Sequence, residues 1–354
     1  MCFEKYIPAK IEEEGKEERE NFYNGLGKPI GIGIPVKPVE LKETWSMEEV
    51  LTIVYIVVDD AYKKLFGSQR YFRTSPNDEP KFTDSEVITL ALVAELAGYK
   101  SRHAWHNQVK KNYRKLFPDL CDRTRFVRRL SKLSRAMEQI RQHLLFLMNV
   151  DLSRVRVVDS FPVTICHMRR VSSSSQPFEY YASFGYCASK REHFYGFKVH
   201  MVTDTFGIPI AYVISPGHVH DTKGLAFLLQ DMNVLDQFLP HLISIFGDKG
   251  YVGADFAHNI KHYFGVEILP ISRDYEKDLA LPTSAYNELV GSARKIIETS
   301  ISVFTGSLNA ASTHARSISG FLTNLVSKFT AFNLANYLNM LLAQPVLQVS
   351  SIVN

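Results

Sequence analysis

The spacing of apolar residues changes near residue 150, and this change constrains the fold more than any other feature of the sequence. From Thr44 to Val150, apolar residues recur at intervals of three and four, as in "WSMEEVLTIVYIVVDDAYKKLF", which predicts helices. Beyond Val150, short runs rich in β-branched and aromatic residues alternate with helical segments. The order strand, hairpin, helix, strand, helix, strand, helix predicts an α/β fold with a mixed sheet and helices on its faces.

Turn and capping residues mark the ends of several predicted elements. Thr83 and Glu86 have the spacing of a capping box, and Gly98 is placed to end the same helix. Asp204 lies in a "DTFG" turn that is predicted to join two strands into a hairpin. The predicted helices include 103–117, 122–148, 284–305 and 320–345, and the predicted strands are 155–163, 194–204, 208–217, "LISIF" and "VEILPI".

The ends of the chain differ in composition from the part between them. Residues 1–44 combine a cluster of glutamates with a Gly/Pro-rich stretch, which predicts a flexible tail. A helical region is predicted over 45–150, an α/β domain over 151–345 and a short C-terminal tail over 346–354.

Cysteine usage and hydropathy argue against several classes of protein. The four cysteines lie far apart and form no CxxC pair, so neither a zinc ribbon nor a dithiol redox motif is expected. The longest apolar runs, such as "VLTIVYIVV", are too short to cross a bilayer, and the N-terminus lacks the core of a signal peptide. We expect a soluble protein of a reducing cytosol, without a membrane partner.

Positive charge is concentrated between residues 100 and 141, although the net charge of the whole chain is only +4. This segment contains thirteen lysines and arginines but only three acidic residues. Its densest part, "RTRFVRRLSKLSR", predicts a helix whose basic face could lie along phosphates. The alternative is an ordinary solvated helix face. The predicted DNA contacts here are Arg125, Arg128, Arg129 and Lys132.

Three acidic residues interrupt segments that otherwise have an apolar pattern. Asp159, in "VVDSFP", and Asp248, in "GDKG", follow apolar strand residues, and Glu298 lies among isoleucines on a predicted helix. If the strands before Asp159 and Asp248 are adjacent, the two carboxylates meet, and Glu298 can reach them from a helix packed on the sheet. Taken singly, Asp248 could be a turn residue and Glu298 an ion-pair partner of Arg294.

Clustered carboxylates repel one another, and a hard divalent cation removes that repulsion. Mg²⁺, or Mn²⁺ in its place, binds carboxylate oxygens, and two such ions about 4 Å apart can serve a phosphoryl displacement. We therefore predict Asp159, Asp248 and Glu298 as catalytic residues and metal ligands. Lys249 and Arg294 are predicted to contact phosphate oxygens.

The segment "SPGHVHDTKG" contains a second group of candidate ligands, His218, His220 and Asp221, and a zinc site is one interpretation. We favour the other, in which Asp221 caps the following helix and the histidines face solvent or DNA. The sequence contains no nucleophile elbow, Walker loop or dinucleotide-binding fingerprint.

Five blocks resemble, in the same order, those of bacterial insertion-sequence transposases with a DDE domain: "VVDSFPV", "FGYCASKREHFYGFKVHMVTDTFG", "SPGHVHDTKG", "GDKGYVG" and "RKIIETSISVF". The resemblance covers about 150–345 and, more loosely, 80–150. It implies a ribonuclease-H-like fold in which Asp159, Asp248 and Glu298 hold two Mg²⁺ ions. The DNA contacts that it implies are Arg294, Lys190, Lys198 and Arg316.

The resemblance also implies an activity: cleavage of the ends of a DNA element and joining of the freed 3′-hydroxyls to target DNA. The implied partners are DNA, as terminal inverted repeats and as target, and a second copy of the chain in a homodimer. The implied location is the bacterial cytoplasm, at the nucleoid. Two alternatives stay open, a stand-alone nuclease on the same fold and a DNA-binding remnant without catalytic activity.

Overall fold

The structure, a computed structural model, describes residues 45–67, 80–150, 154–171, 178–187, 191–235, 242–251, 253–270 and 283–352. The predicted tail at 1–44 and the predicted DNA contact Lys190 lie outside the described residues. Within the described ranges, five helices precede a six-stranded sheet, as the change of periodicity predicts.

The N-terminal helices begin and end at the residues that favour helix termini. Ser46 and Glu49 form a capping box before the first helix, and Thr83 and Glu86 form the predicted one before the second. Gly98, at a φ of 68°, adopts the left-handed conformation just after the second helix ends. The five helices are α1 (Met47–Phe66), α2 (Asp84–Leu96), α3 (Arg102–Asn112), α4 (Arg123–Lys132) and α5 (Ser134–Leu147).

The prediction of one helix over 122–148 is wrong, because the helix divides into α4 and α5 at Leu133. At the junction, the hydroxyl of Ser134 donates to the main-chain oxygen of Ser131 at 3.2 Å. A side chain that bonds to the backbone in this way competes with the regular helical ladder. Leu133 is itself buried, so the break lies against the core.

A mixed sheet follows, with β1 at its centre. β1 pairs antiparallel with β3 and parallel with β5, and β6 adds in parallel beyond β5. β2 and β4 both pair antiparallel with the other side of β3. The strands are β1 (Val155–Cys166), β2 (Ser183–Cys187), β3 (Glu192–Thr203), β4 (Pro209–Pro216), β5 (Ser244–Gly247) and β6 (Glu267–Pro270). The predicted α/β class, a mixed sheet flanked by helices and preceded by a helical region, is confirmed.

The sequence does not predict β2. Its inward position is occupied by Gly185, while Phe184 and Tyr186 on either side are exposed. A strand with no apolar side chain on its buried face lacks the alternation by which strands are identified. Its pairing to β3 is therefore visible only in the structure.

Four helices complete the fold, and two hydrophobic clusters hold it together. They are α6 (Asp221–Leu235), α7 (Ala254–Phe264), α8 (Thr283–Thr305) and α9 (Ile318–Leu341). The larger cluster joins the N-terminal helices to β1, β3 and α9, and the smaller one packs α6 and α7 on the opposite face. Since the larger cluster crosses residue 150, the helical region shares its core with the sheet, and the predicted division into domains stays a prediction. None of the described helices is long and apolar enough to span a membrane.

Candidate active site

The parallel pairing of β1 and β5 brings two of the predicted acids to the same end of the sheet. Val158 on β1 pairs with Gly247, the last residue of β5. Asp159 is the next residue of β1, which continues to Cys166, and Asp248 is the residue after β5. Adjacent strands are about 4.8 Å apart, so the aspartates start from neighbouring positions. The expectation that their two strands are adjacent is confirmed.

The surroundings of Asp159 oppose its ionisation. Burial is the main cause that raises the pKa of Asp159 to about 7, and the charges of Asp248, Asp221 and Glu298 contribute to the rise. The N–H of Ser160 donates to Asp159 Oδ1 at 2.7 Å and partly counteracts the rise. Three further carboxylates are therefore close enough to Asp159 to act on it.

Asp248 lies in a tight turn that leads into a short 3₁₀ helix, Lys249–Tyr251. Its Oδ1 accepts the N–H of Gly250 at 2.7 Å, and its main-chain oxygen accepts the N–H of Tyr251 at 3.0 Å. The turn interpretation of "GDKG" is thus correct as geometry, and the same turn holds the carboxylate beside Asp159. A Cβ at position 250 would lie only 2.9 Å from Asp248 Oδ1 and 3.0 Å from Asp221 Oδ2, so glycine leaves the room that these oxygens occupy.

Glu298 approaches the aspartates from helix α8, which packs on β1. Its side chain is exposed, and its charge contributes to the raised pKa of Asp159. The donor atoms of the three predicted ligands are carboxylate oxygens, which suit Mg²⁺ or Mn²⁺. As the side chains stand, however, no group of three His, Cys, Asp or Glu among the described residues is arranged to hold one ion.

Asp221 is the member of the site that the sequence did not identify. It is already the first residue of α6, whereas a cap precedes the helix, and its Oδ1 accepts the hydroxyl of Ser160 at 2.8 Å and the ammonium of Lys198 at 3.2 Å, so the predicted capping role is wrong. The neighbouring histidines, His218 and His220, are exposed and bond to nearby hydroxyls. The geometry thus does not support the zinc interpretation, and it turns Asp221 towards the sheet.

His200 lies beneath Asp221, on the same face of β3 as Lys198. Its Nδ1 is 3.6 Å from Asp221 Oδ1, and its Nε2 shares a hydrogen bond with the hydroxyl of Ser215 at 2.9 Å. Burial lowers the pKa of His200 to about 4, so the ring is neutral at pH 7. A Cβ at Gly224 would lie 2.3 Å from the ring, so α6 can pack here only with glycine at that position. In the sequence, the signal for this cluster was the pair Lys198 and His200, which lie at alternate positions of an otherwise apolar strand and so share one face.

The predicted DNA contacts on α4 separate into exposed and engaged side chains. Arg125, Arg128 and Lys132 are exposed, and their spacing places them on one face of the helix. Arg129 instead points inward, where its guanidinium bonds to Asp84 and lies over a phenylalanine ring.

The remaining predicted contacts lie elsewhere. Arg316 is exposed just before α9, whereas Lys198 is largely buried and paired with Asp221. The side chains of Lys249 and Arg294 lie outside the described residues, so their roles stay predictions.

One aspartate within the central strand, a second just after the neighbouring parallel strand and a glutamate on a packed helix define an α/β protein with a carboxylate-lined site beside its sheet. Residues 151–334, more than half of the chain, match the family described as "Transposase DDE domain". The chain belongs to this family of transposases.

Two solved structures are also similar to the chain. The Drosophila P element transposase strand transfer complex is 10% identical, with a TM-score of 0.27, and the match covers 84% of this chain and 89% of that one. The Mos1 strand transfer complex is 14% identical, with a TM-score of 0.20 and coverages of 83% and 97%. No match was found among curated proteins.

Proposed function

We propose that this transposase cleaves the ends of a bacterial insertion sequence and joins the freed 3′-hydroxyls to target DNA. Both steps are phosphoryl transfers at one site, with Asp159, Asp248 and Glu298 as the catalytic carboxylates. The proposal rests on one observation above all: Asp159 and Asp248 are the residues just beyond the last pair of the parallel strands β1 and β5, Val158 and Gly247. The charges of Asp248 and Glu298 both act on Asp159.

The mutual repulsion of these carboxylates supports a cation between them. Asp159 and Asp248 would hold it, and Glu298, which is exposed on α8, would complete the ligand set. Two bound divalent ions would supply the charge that activates the attacking oxygen and stabilises the leaving oxygen. The raised pKa of Asp159 agrees with this role, because a nearby cation would favour its ionised form.

The helical region would hold the DNA. The exposed stripe of Arg125, Arg128 and Lys132 on α4 offers positive charge at a regular spacing, which suits a phosphate backbone. Lys249, Arg294, Lys190 and Arg316 are the further contacts that we propose. Since two ends must be joined, we also propose a homodimer, acting at the nucleoid of a bacterial cell.

The test is a joining reaction with purified protein. The DNA substrates are a linear duplex ending in the inverted repeats that flank the gene and a supercoiled target plasmid, with Mg²⁺ present. We expect joined products, and we expect Asp159→Asn, Asp248→Asn and Glu298→Gln each to lower the rate by at least about 10³-fold while duplex binding persists. Asp255→Asn, an exposed aspartate in the first turn of α7, is the matched control.

The alternatives give different products in the same experiment. Nicked or cut DNA without joined products would indicate a stand-alone nuclease. Duplex binding without cleavage, unchanged by Asp248→Asn, would indicate a DNA-binding remnant.

A further inference from the structure

Asp221 lies between the two segments that carry the proposed catalytic aspartates. Ser160 donates its hydroxyl to Asp221 Oδ1 at 2.8 Å and its N–H to Asp159 Oδ1 at 2.7 Å. On the other side, Gly250 donates its N–H to Asp248 Oδ1 at 2.7 Å, and a Cβ there would lie 3.0 Å from Asp221 Oδ2. This carboxylate thus bonds to the segment of Asp159 and lies beside the segment of Asp248, against which α6 packs.

The fold holds this carboxylate with buried polar groups. The side chains of Lys198 and His200 are 14% and 0% exposed, and both are directed at Asp221 Oδ1. His200 Nδ1 has no hydrogen-bond partner within the described residues. A buried lysine is stable only beside an opposite charge, so Lys198 and Asp221 depend on each other.

We propose that Asp221 is a positioning residue for the transposase reaction, which fixes the Asp159 and Asp248 segments relative to each other through Ser160 and Gly250. This inference rests on the proposed function of Asp159 and Asp248. Lys198 would then act within the protein, as the cation that offsets the charge of Asp221 beside two other acids.

A direct role as a fourth ligand fits the geometry less well. Two donors, Ser160 and Lys198, already bond to Asp221 Oδ1. One of these donors, Ser160, itself bonds to Asp159, and the other, Lys198, lies on β3.

The first test uses Asp221→Asn, which keeps the size of the side chain and removes its charge. We expect the turnover rate of end cleavage to fall by roughly 10- to 100-fold, as for other residues that orient ligands, with KM for the DNA unchanged. Ser160→Ala keeps the N–H that bonds to Asp159. It should lower the turnover rate of end cleavage by a smaller factor than Asp221→Asn does. Asp221→Asn weakens, and Ser160→Ala removes, the same hydrogen bond between residues 160 and 221. The two effects should therefore not multiply in the double variant. Asp255→Asn is again the matched control.

Three results would overturn the proposal. Asp221→Asn could cleave at the wild-type rate, or the effects of the two single variants could multiply in the double variant. The third is rescue of Asp221→Cys by Mn²⁺ but not by Mg²⁺, which would make Asp221 a ligand rather than a positioning residue.

A second measurement decides the inference without any DNA reaction. In crystal structures of the wild type and of Asp221→Asn, we expect the carboxylates of Asp159 and Asp248 to separate in the variant. Unchanged positions would overturn the inference even if the wild type transposes. Conversely, a wild type that cleaves no DNA would refute the proposed function, while the two structures would still decide whether Asp221 sets the positions of the aspartates.

Discussion

At residue 250, the absence of a side chain matters more for the site than for folding. The atoms that a Cβ would meet, Asp248 Oδ1 and Asp221 Oδ2, are the ends of side chains that can turn away. Their movement lowers the free energy of unfolding only slightly. It does, however, displace carboxylates that the proposed reaction needs in fixed positions. Small displacements of reacting groups have large effects on rate.

We therefore predict that Gly250→Ala lowers the cleavage rate by roughly 10- to 100-fold. The free energy of unfolding should change by less than about 1 kcal/mol, measured by urea denaturation. Gly253→Ala is the matched control, because the nearest atom to its Cβ would be 3.8 Å away, an ordinary contact. Equal rates for the two variants would contradict the prediction.

At the scale of elements, the β3–β4 hairpin depends on a buried carboxylate at its turn. Asp204 Oδ1 accepts the N–H groups of Phe206 and Ile208 at 2.9 and 2.8 Å. Burial nevertheless raises the pKa of Asp204 to about 6, while these bonds and the charge of Arg156 act in the opposite direction. The turn is thus held by a group that gives up its proton less readily in the folded protein than in the unfolded chain.

This difference predicts a pH dependence of stability. Between pH 3.8 and about 6, folded Asp204 retains a proton that the unfolded chain releases, so its contribution to stability falls as pH rises through that window. The loss is at most about 1.4 kcal/mol per pH unit. Asp204→Asn cannot titrate, so the stability of the wild type relative to this variant should decline across the window and stay level above it. Urea denaturation at several pH values measures the free energy of unfolding of both proteins. A difference between them that stays constant from pH 3.8 to about 6 would contradict the prediction.

Helix α4 gives a second prediction at this scale. Each phosphate contact contributes about 0.9 to the slope of log K against log salt concentration, because counterions are released. Arg128→Ala and Lys132→Ala should each reduce that slope by about this amount, measured by fluorescence anisotropy with duplex DNA between 50 and 200 mM NaCl. Lys63→Ala is the control, since Lys63 is exposed on α1 and paired with Asp59. Slopes unchanged in the α4 variants would mean that the stripe is only a solvated face.

At the scale of the whole molecule, α9 connects the helical region to the sheet through polar contacts inside an apolar core. The ammonium of Lys328 bonds to Glu95 on α2 and to the main-chain oxygen of Leu308. Further along α9, the amide of Asn333 donates to the main-chain oxygen of Pro209 on β4 at 3.0 Å. Removal of Lys328 from its buried ion pair would leave the charge of Glu95 without compensation.

We predict that Lys328→Met lowers the free energy of unfolding by about 3–5 kcal/mol. The double variant Lys328→Met/Glu95→Leu should recover much of this loss, because no buried charge remains. Lys63→Met, which breaks an exposed ion pair, should cost less than about 1 kcal/mol. Chemical denaturation measures all three, and a double variant no more stable than Lys328→Met would contradict the prediction.

The sequence by itself determined the α/β class, most of the elements and the candidate acids, because these depend on local patterns. Helix periodicity, the Thr83 capping box and an aspartate that interrupts an apolar strand can each be identified within a few neighbouring residues. The tertiary structure decided what depends on residues far apart in the chain. Only the fold shows β2 as a strand, Arg129 bonded to Asp84, and Asp221 held by Ser160 and Lys198. The physical reason is that a side chain's neighbours across a sheet or a helix interface are set by packing, which no local pattern records.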